Sequence, residues 1–199
     1  MDIEIRRLTP TLLSDFLHFF ETQAHADNPD EDRCYCVCWC SADHRLPTDF
    51  SSPEKRRLLA VEYVNAGILQ GYLAYADDRV VGWCNANTKA DCTHCTSWLR
   101  QMPPEETAYG DEKIKSIYCF AIAPQMKRKG IAARLLERVC QDAREEGFDL
   151  VEAYPNREFI SEFSDFRGPP ALYSKNEFTL HQQIAGTRGD RCIVRKALT

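Results

Sequence analysis

The sequence predicts an α/β protein of the α+β kind: one domain over residues 1–199, with a mixed central β-sheet of about six to seven strands flanked by helices. Three observations predict it. Two β-rich runs, residues 68–75 and 79–87, are joined by Asp77-Asp78 and read as a hairpin. A third run, residues 116–122, leads through a basic turn into a long amphipathic helix. Further apolar runs at both ends of the chain supply the remaining strands, and the length suits one domain with a full core.

Taken in order, residues 3–8 alternate and predict the first strand. Thr9-Pro10 opens a helix with Leu12, Leu13, Phe16, Leu17 and Phe20 on its apolar side. Residues 26–31 are a polar loop, and residues 34–40 carry a cysteine at every second place. A charged helix over 53–66 uses Leu58, Leu59, Val61 and Val64 and ends at Gly67. In the second hairpin strand Trp83 and Asn85 share one face, while Val80, Gly82 and Cys84 share the other. Residues 88–112 form a long connection without clear periodicity, expected to fold over an acceptor pocket.

The run at 116–122 is apolar enough for a buried strand, and Pro124 stops it because proline has no amide hydrogen for the ladder. In the helix that follows, Ile131, Leu135, Leu136, Val139, Cys140 and Ala143 fall on one face. Gly147 precedes a buried strand over 148–154. Residues 156–170 are a second irregular insertion, rich in Phe159, Phe163 and Phe166. The last strands are predicted at 178–185 and 192–198, with residues 187–190 as their turn.

Composition excludes several function classes. Acidic residues outnumber basic ones, 30 to 25, which argues against a nucleic-acid partner. No apolar run approaches the ~18 residues of a membrane helix. The first residues carry no secretory signal, so a cytoplasmic protein is expected, monomeric or homodimeric, with its ten cysteines reduced and mostly buried. The four cysteines of 34–40 invite a zinc reading. On an extended strand, however, alternate side chains lie roughly 6–7 Å apart, whereas sulfurs binding one zinc sit ~2.3 Å from a common point. Only a tight turn, or recruitment of Cys92 to Cys95, could gather them. No metal is expected.

A strand running through a basic turn into a helix N-terminus makes an anion site, because free N–H groups and the positive end of the helix dipole point at it. Gly130 allows close backbone approach there, and Lys127, Arg128 and Lys129 supply positive charge. A phosphorylated ligand follows, together with a cationic amine as a fit to the mildly acidic chain. The turn has one glycine and no Gly-Lys-Ser/Thr ending, so it is neither a Walker loop nor a dinucleotide fingerprint.

Lys127-Arg128-Lys129-Gly130-Ile131-Ala132 resembles the pyrophosphate loop of the GNAT superfamily of acetyl-CoA-dependent N-acetyltransferases, Gln/Arg-x-x-Gly-x-Gly/Ala, with lysine in the first slot. Ala171-Leu172-Tyr173-Ser174-Lys175-Asn176-Glu177-Phe178 resembles the family's second signature, Ala-x-x-Tyr-x-Lys-x-Gly-Phe, with Glu177 where glycine is customary. The resemblance spans essentially the whole chain. It extends to a bacterial branch with Cys-x-Cys near the start, Gly-Trp-Cys on a central strand and Glu-Ala-Tyr-Pro after the main helix. Those read here Cys34-Tyr35-Cys36, Gly82-Trp83-Cys84 and Glu152-Ala153-Tyr154-Pro155.

The resemblance implies acetyl-CoA as cofactor and direct attack by the primary amine of a small molecule in a ternary complex. Backbone N–H groups at Phe120, Ala121 and Ile122 would meet the thioester carbonyl and pair with the pantetheine arm. Amides of Arg128, Lys129, Gly130, Ile131 and Ala132 would hold the pyrophosphate, with Lys127 and Lys129 as countercharges and Lys175 from the second signature nearby. Tyr173 would face the CoA sulfur and is the candidate general acid. Where several relatives carry a glutamate this chain has Ser116, which cannot take a proton from an ammonium at its ordinary pKa. Asp111, Glu112 and Glu152 are the neighbouring carboxylates. Glu152 is the candidate base through a water chain at Ser116; alternatively the amine arrives deprotonated. Cys36, Trp39, Trp83, Cys84, Asn85 and Tyr118 are the candidate acceptor-side residues. No histidine adjoins Cys84 or Cys119 to make a thiolate, which disfavours a covalent route. Three other readings stand beside this one: acetylation of a protein N-terminus or lysine, an inactive acyl-CoA-binding regulatory module, and a cysteine-rich metal or redox sensor.

Overall fold

The middle of the molecule is β4, Ile114–Ile122, a strand buried along nearly its whole length because almost every side chain in it is apolar. A computed structural model of the chain describes residues 2–27, 33–42, 48–103, 106, 110–161, 165–184 and 190–198. The other strands are β1 Glu4–Arg7, β2 Gly71–Ala76, β3 Arg79–Thr88, β5 Leu150–Ala153, β6 Thr179–Ile184 and β7 Arg191–Ala197. They form a seven-stranded sheet in the order β1-β2-β3-β4-β5-β7-β6. Only β4 and β5 run parallel. Helix α4, Ile131–Glu145, makes the crossover that a parallel pair requires.

Both sheet faces are covered. Gly82 of β3 has no side chain because one would clash there: an added Cβ would lie 2.9 Å from Ile122 Cδ1 and 3.0 Å from Ile131 Cγ2, so α4 packs directly on this face. Trp83 points the other way and meets Phe16 of α1 (Leu13–Thr22) edge-on at 4.9 Å. The expected faces of β3 hold for Gly82 and Trp83, whereas a bulge before Gly82 sets Val80 opposite Tyr75, on the α1 side. Helix α2, Pro53–Asn65, lies against α1 with Val64 buried and Leu59 and Val61 packed on the core as expected, but without Leu58. It buries Arg56, Ala60, Tyr63 and Val64, while Leu58 stays 68% exposed. Tyr63 sets this phase by burying the largest apolar surface in the helix.

Residues 34–40 are not extended. Tyr35 and Cys36 adopt left-handed backbone and a 3-10 turn follows at Val37–Trp39. The reason is aromatic anchoring at both ends: Tyr35 packs on Phe20 at 5.7 Å and Trp39 stacks on Tyr118 at 4.9 Å. A straight strand would alternate these side chains with the cysteines and could not seat both rings. Cys36 is joined to Cys119 of β4 by a disulfide, which corrects the expectation of a wholly reduced chain. Among the described residues no group of three or more His, Cys, Asp or Glu side chains is set to hold a metal ion.

The remaining thiols are mostly shielded. Burial pushes Cys40, Cys84 and Cys92 up, and Cys95 and Cys140 up to about 11. Alkylation of the native protein at neutral pH is therefore expected to mark the half-exposed Cys34 and Cys192 well before these five, as read by peptide mass mapping. Equal labelling of Cys84 in the folded protein would contradict this burial.

The long connection at 88–112 contains a 3-10 turn at Lys89–Asp91 and helix α3, Thr96–Gln101. The short helix of the second signature is α5, Pro170–Ser174. Phe163 and the expected turn at 187–189 lie outside the described residues. Among the described residues no helix is long and apolar enough to cross a membrane.

Candidate active site

The site begins where β4 and β5 part. Their parallel pairing ends at Ile117 opposite Ala153. Beyond it the chain after β5 follows β7 instead: Cys192 N donates to Pro155 O at 2.9 Å, and Asn156 bridges to Arg191. On its other side β4 carries a bulge at Tyr118, since Asn85 pairs with Cys119 and Ala86 with Ile117. The result is a wedge in which Phe120, Ala121 and Ile122 have lost one strand neighbour.

Residues 165–168 turn into that wedge. The Asp165 carboxylate holds the turn by accepting from Ile160 N at 2.9 Å, Ser161 N at 3.1 Å and Asn156 Nδ2 at 2.8 Å. Phe166 O then accepts from Phe120 N at 2.6 Å. The Phe120 N–H, expected to serve a ligand, is thus engaged by the protein's own backbone.

Beside the wedge lies a cavity of about 540 Å³. Its floor is Phe120 and Ile122, its far end the stretch from Met126 through Arg128 and Gly130 to Ala133, and its roof Phe159, Phe166, Pro169 and Leu172. At the far end Gly130 caps α4 in left-handed backbone at φ +79°, and an added Cβ would meet nothing within 4 Å. First-turn N–H groups of a helix lack intrahelical partners. Those of α4 sit beside Lys127, Arg128 and Lys129, with Lys127 Nζ 2.7 Å from Asp27. Backbone donors, mobile cations and an apolar trough in one line fit a diphosphate carrying an uncharged arm.

The acetyltransferase (GNAT) family profile matches residues 35–160. The chain belongs to the GNAT acetyltransferase family. It is an N-acetyltransferase, with acetyl-CoA as its cofactor. Solved GNAT folds superpose over the full length. An N-acetyltransferase from Staphylococcus aureus Mu50 aligns with TM-score 0.57 at 14% identity, covering 100% of both chains. The PaiA N-acetyltransferase of Thermoplasma acidophilum, in complex with coenzyme A, aligns at 0.56 and 16%, covering 99% of each. The Drosophila melanogaster polyamine N-acetyltransferase, which forms N-acetylagmatine, aligns at 0.55 and 13%, covering 99% of this chain and 100% of that one. None of the curated proteins matches this chain.

Within the GNAT frame, the expected cofactor residues divide as follows. Phe120, Ile122, Lys127, Arg128, Gly130, Ile131 and Ala132 line the cavity; Lys129 is exposed beside it, Lys175 is exposed on the turn after α5, and Ala121 alternates away. Tyr173 is buried, edge-on to Phe178 at 5.3 Å, and donates its hydroxyl to Arg167 O. Burial pushes this phenol well up. Gly168, which lines the cavity, separates Tyr173 from it: a Cβ there would lie 3.1 Å from the Tyr173 hydroxyl.

Ser116 and Glu152 face each other across β4 and β5 but belong to a buried charge network. Tyr154 OH links them, 2.9 Å from Ser116 Oγ and 2.6 Å from Glu152 Oε1. Lys89 Nζ lies 2.8 Å from the same carboxylate and 3.3 Å from Glu106. Arg195 Nε donates to Glu152 Oε2 at 2.6 Å. Both carboxylate oxygens are therefore committed. Asp111 and Glu112 are exposed, with Glu112 3.9 Å from Arg195.

The six acceptor-side candidates are all buried, and none lines the cavity. Trp39 and Tyr118 belong to an aromatic stack that continues to Tyr154 at 5.7 Å, with Trp98 edge-on to both tyrosines. Cys36 is tied to Cys119, next to the wedge. Asn85 Nδ2 donates to Cys36 O at 3.4 Å, while Trp83 and Cys84 sit in the core on opposite faces of β3. Sequence reasoning missed Arg167 and Gly168 in the wedge turn and Lys89 in the network. Only the aromatics flanking Arg167 pointed toward the first two.

Proposed function

We propose that the protein acetylates the primary amine of a small molecule by direct attack in a ternary complex with acetyl-CoA. The observation that carries this is the continuity between the α4 N-terminus and the open edge of β4, roofed by Phe159, Phe166, Pro169 and Leu172. A roofed trough favours a small acceptor over a polypeptide. Acetyl-CoA supplies an acetyl group already activated as a thioester. The α4 amides and Lys127 to Lys129 would hold its phosphates. Phe120 to Ile122 would align its arm, with Phe166 yielding the Phe120 N–H.

Tyr173 is the proton donor in this reading. Gly168 stands between its hydroxyl and the cavity, so the phenol would reach the departing thiolate only after leaving the Arg167 carbonyl. Glu152 is held by Lys89, Tyr154 and Arg195 and is a poor base. The amine is therefore read as reaching the site in neutral form. Stopped assays of thiol release, with acetyl-CoA and a panel of small primary amines, test the proposal. Amine-dependent release is expected, falling about 10²-fold in Tyr173→Phe with acetyl-CoA affinity unchanged. Binding of acetyl-CoA without release for any amine would remove the enzymatic reading in favour of a binding module.

A further inference from the structure

Arg167 is a buried cation, 6% exposed, with no carboxylate partner among the described residues. Its Nη2 donates to Gln101 Oε1, a neutral amide oxygen that Arg191 Nη1 shares at 3.2 Å. Its Nε has no hydrogen-bond partner. The guanidinium carbon sits 4.3 Å from the Phe166 ring centre and 5.4 Å from that of Trp39. Such contacts orient a cation without neutralising it. Loss of hydration, followed by repulsion from Arg191, pulls the group down to about 9. An arginine is costly to bury in this way unless something negative arrives.

Its place says which molecule brings the charge. The cofactor phosphates have their own cations at the α4 end of the cavity. The pantetheine arm carries amides and no charge. Arg167 directly follows Phe166, whose carbonyl marks the Phe120 N–H where that arm would end. It also faces Trp39, stacked on the bulged Tyr118. Within the protein, Cys38 is a nearby group of opposite sign, but burial keeps its thiol protonated, so the acceptor is the component that could bring a standing negative charge.

Resting on the acetyltransferase reading above, we propose that Arg167 binds a carboxylate on the acceptor, so that the substrate class is small amino-carboxylic acids. A carboxylate can be met by the unpartnered Nε, beside the Nη2 that already donates to Gln101. The acidic balance of the sequence suggested a cationic amine; a buried arginine behind the cavity-lining Phe166 and Gly168 argues the reverse. The same positive charge disfavours an ammonium beside it and so helps to keep the attacking amine neutral.

The test compares matched pairs that differ only by the carboxylate: lysine and cadaverine, ornithine and putrescine, phenylalanine and phenethylamine. In the wild type, kcat/KM is expected to favour the acid by about 10- to 100-fold, as charged hydrogen bonds imply. Arg167→Gln should reduce that preference to a few-fold at most, mainly through KM, with acetyl-CoA affinity by calorimetry as the measure of an intact fold. Equal or better use of the decarboxylated amines by the wild type overturns the proposal, whatever the variant does. Turnover of neither set by a protein that binds acetyl-CoA also overturns it. Failure to bind acetyl-CoA at all removes the acetyltransferase reading instead.

Discussion

Gly130→Glu is expected to abolish measurable acetyl-CoA binding, a loss of at least about 100-fold, or ~2.7 kcal/mol. Gly130 caps α4 at φ +79° with open space where a Cβ would go. A side chain there meets no steric obstacle, and its backbone strain costs only about 1–2 kcal/mol. A carboxylate at a helix N-terminus even offsets part of that strain. The variant should therefore fold. Its carboxylate then stands where the diphosphate would, beside Lys127, Arg128 and Lys129, and repels it. Calorimetric titration of both proteins with acetyl-CoA, alongside matching thermal melts, checks this. Retained micromolar affinity in a folded Gly130→Glu protein would move the cofactor away from α4. Gly130→Ala serves as the companion variant, carrying the strain without the charge.

Lys89→Met is expected to destabilise the fold by about 3–5 kcal/mol, the usual cost of stripping one partner from a buried ion pair. Lys89 is fully buried between Glu152 at 2.8 Å and Glu106 at 3.3 Å, with Trp98 at 5.4 Å. Glu152 keeps Arg195 and Tyr154 when the lysine is lost, but Glu106 loses its cation in a buried place. The double variant Lys89→Met/Glu106→Gln should recover part of the loss, because no uncompensated carboxylate then remains at that position. Urea midpoints for the two single variants and the pair measure the coupling. A stability unchanged by Lys89→Met would mean that the ammonium is not compensating those carboxylates.

These two sites differ in how far the sequence disclosed them. The Gly130 turn was legible because it is local: a strand, a stop at Pro124, three cations, a glycine and an amphipathic helix lie within one short stretch. The short helix α5 of the second signature was legible for the same reason. Lys89 was not, since nothing in Thr88-Lys89-Ala90 separates a buried ammonium from a solvated one, and its partners come from β5 and residue 106. Arg167 was hidden likewise, because its burial depends on Trp39 and Gln101, far away along the chain. In α2 only Leu58 was misplaced: it stays exposed while Tyr63 is buried, and Leu59, Val61 and Val64 pack on the core as expected. At residues 34–40 the regular cysteine spacing suggested a strand, but the aromatic anchors at Tyr35 and Trp39 governed the backbone.

The turn at residues 165–168 touches every part of the reaction at once. Phe166 O rests on the strand that would receive the cofactor arm, Arg167 waits for the acceptor's charge, and Arg167 O restrains the Tyr173 hydroxyl. Three neighbouring peptide units cannot move independently. Whatever displaces the Phe166 carbonyl also shifts the guanidinium and loosens the phenol. If the cofactor arm displaces that carbonyl, donor and acceptor would be thermodynamically linked, each changing the affinity of the other by the same factor. On the reaction proposed above, such a linkage would favour an acceptor that binds after the thioester, so that the cofactor-free protein would hold its substrate less tightly.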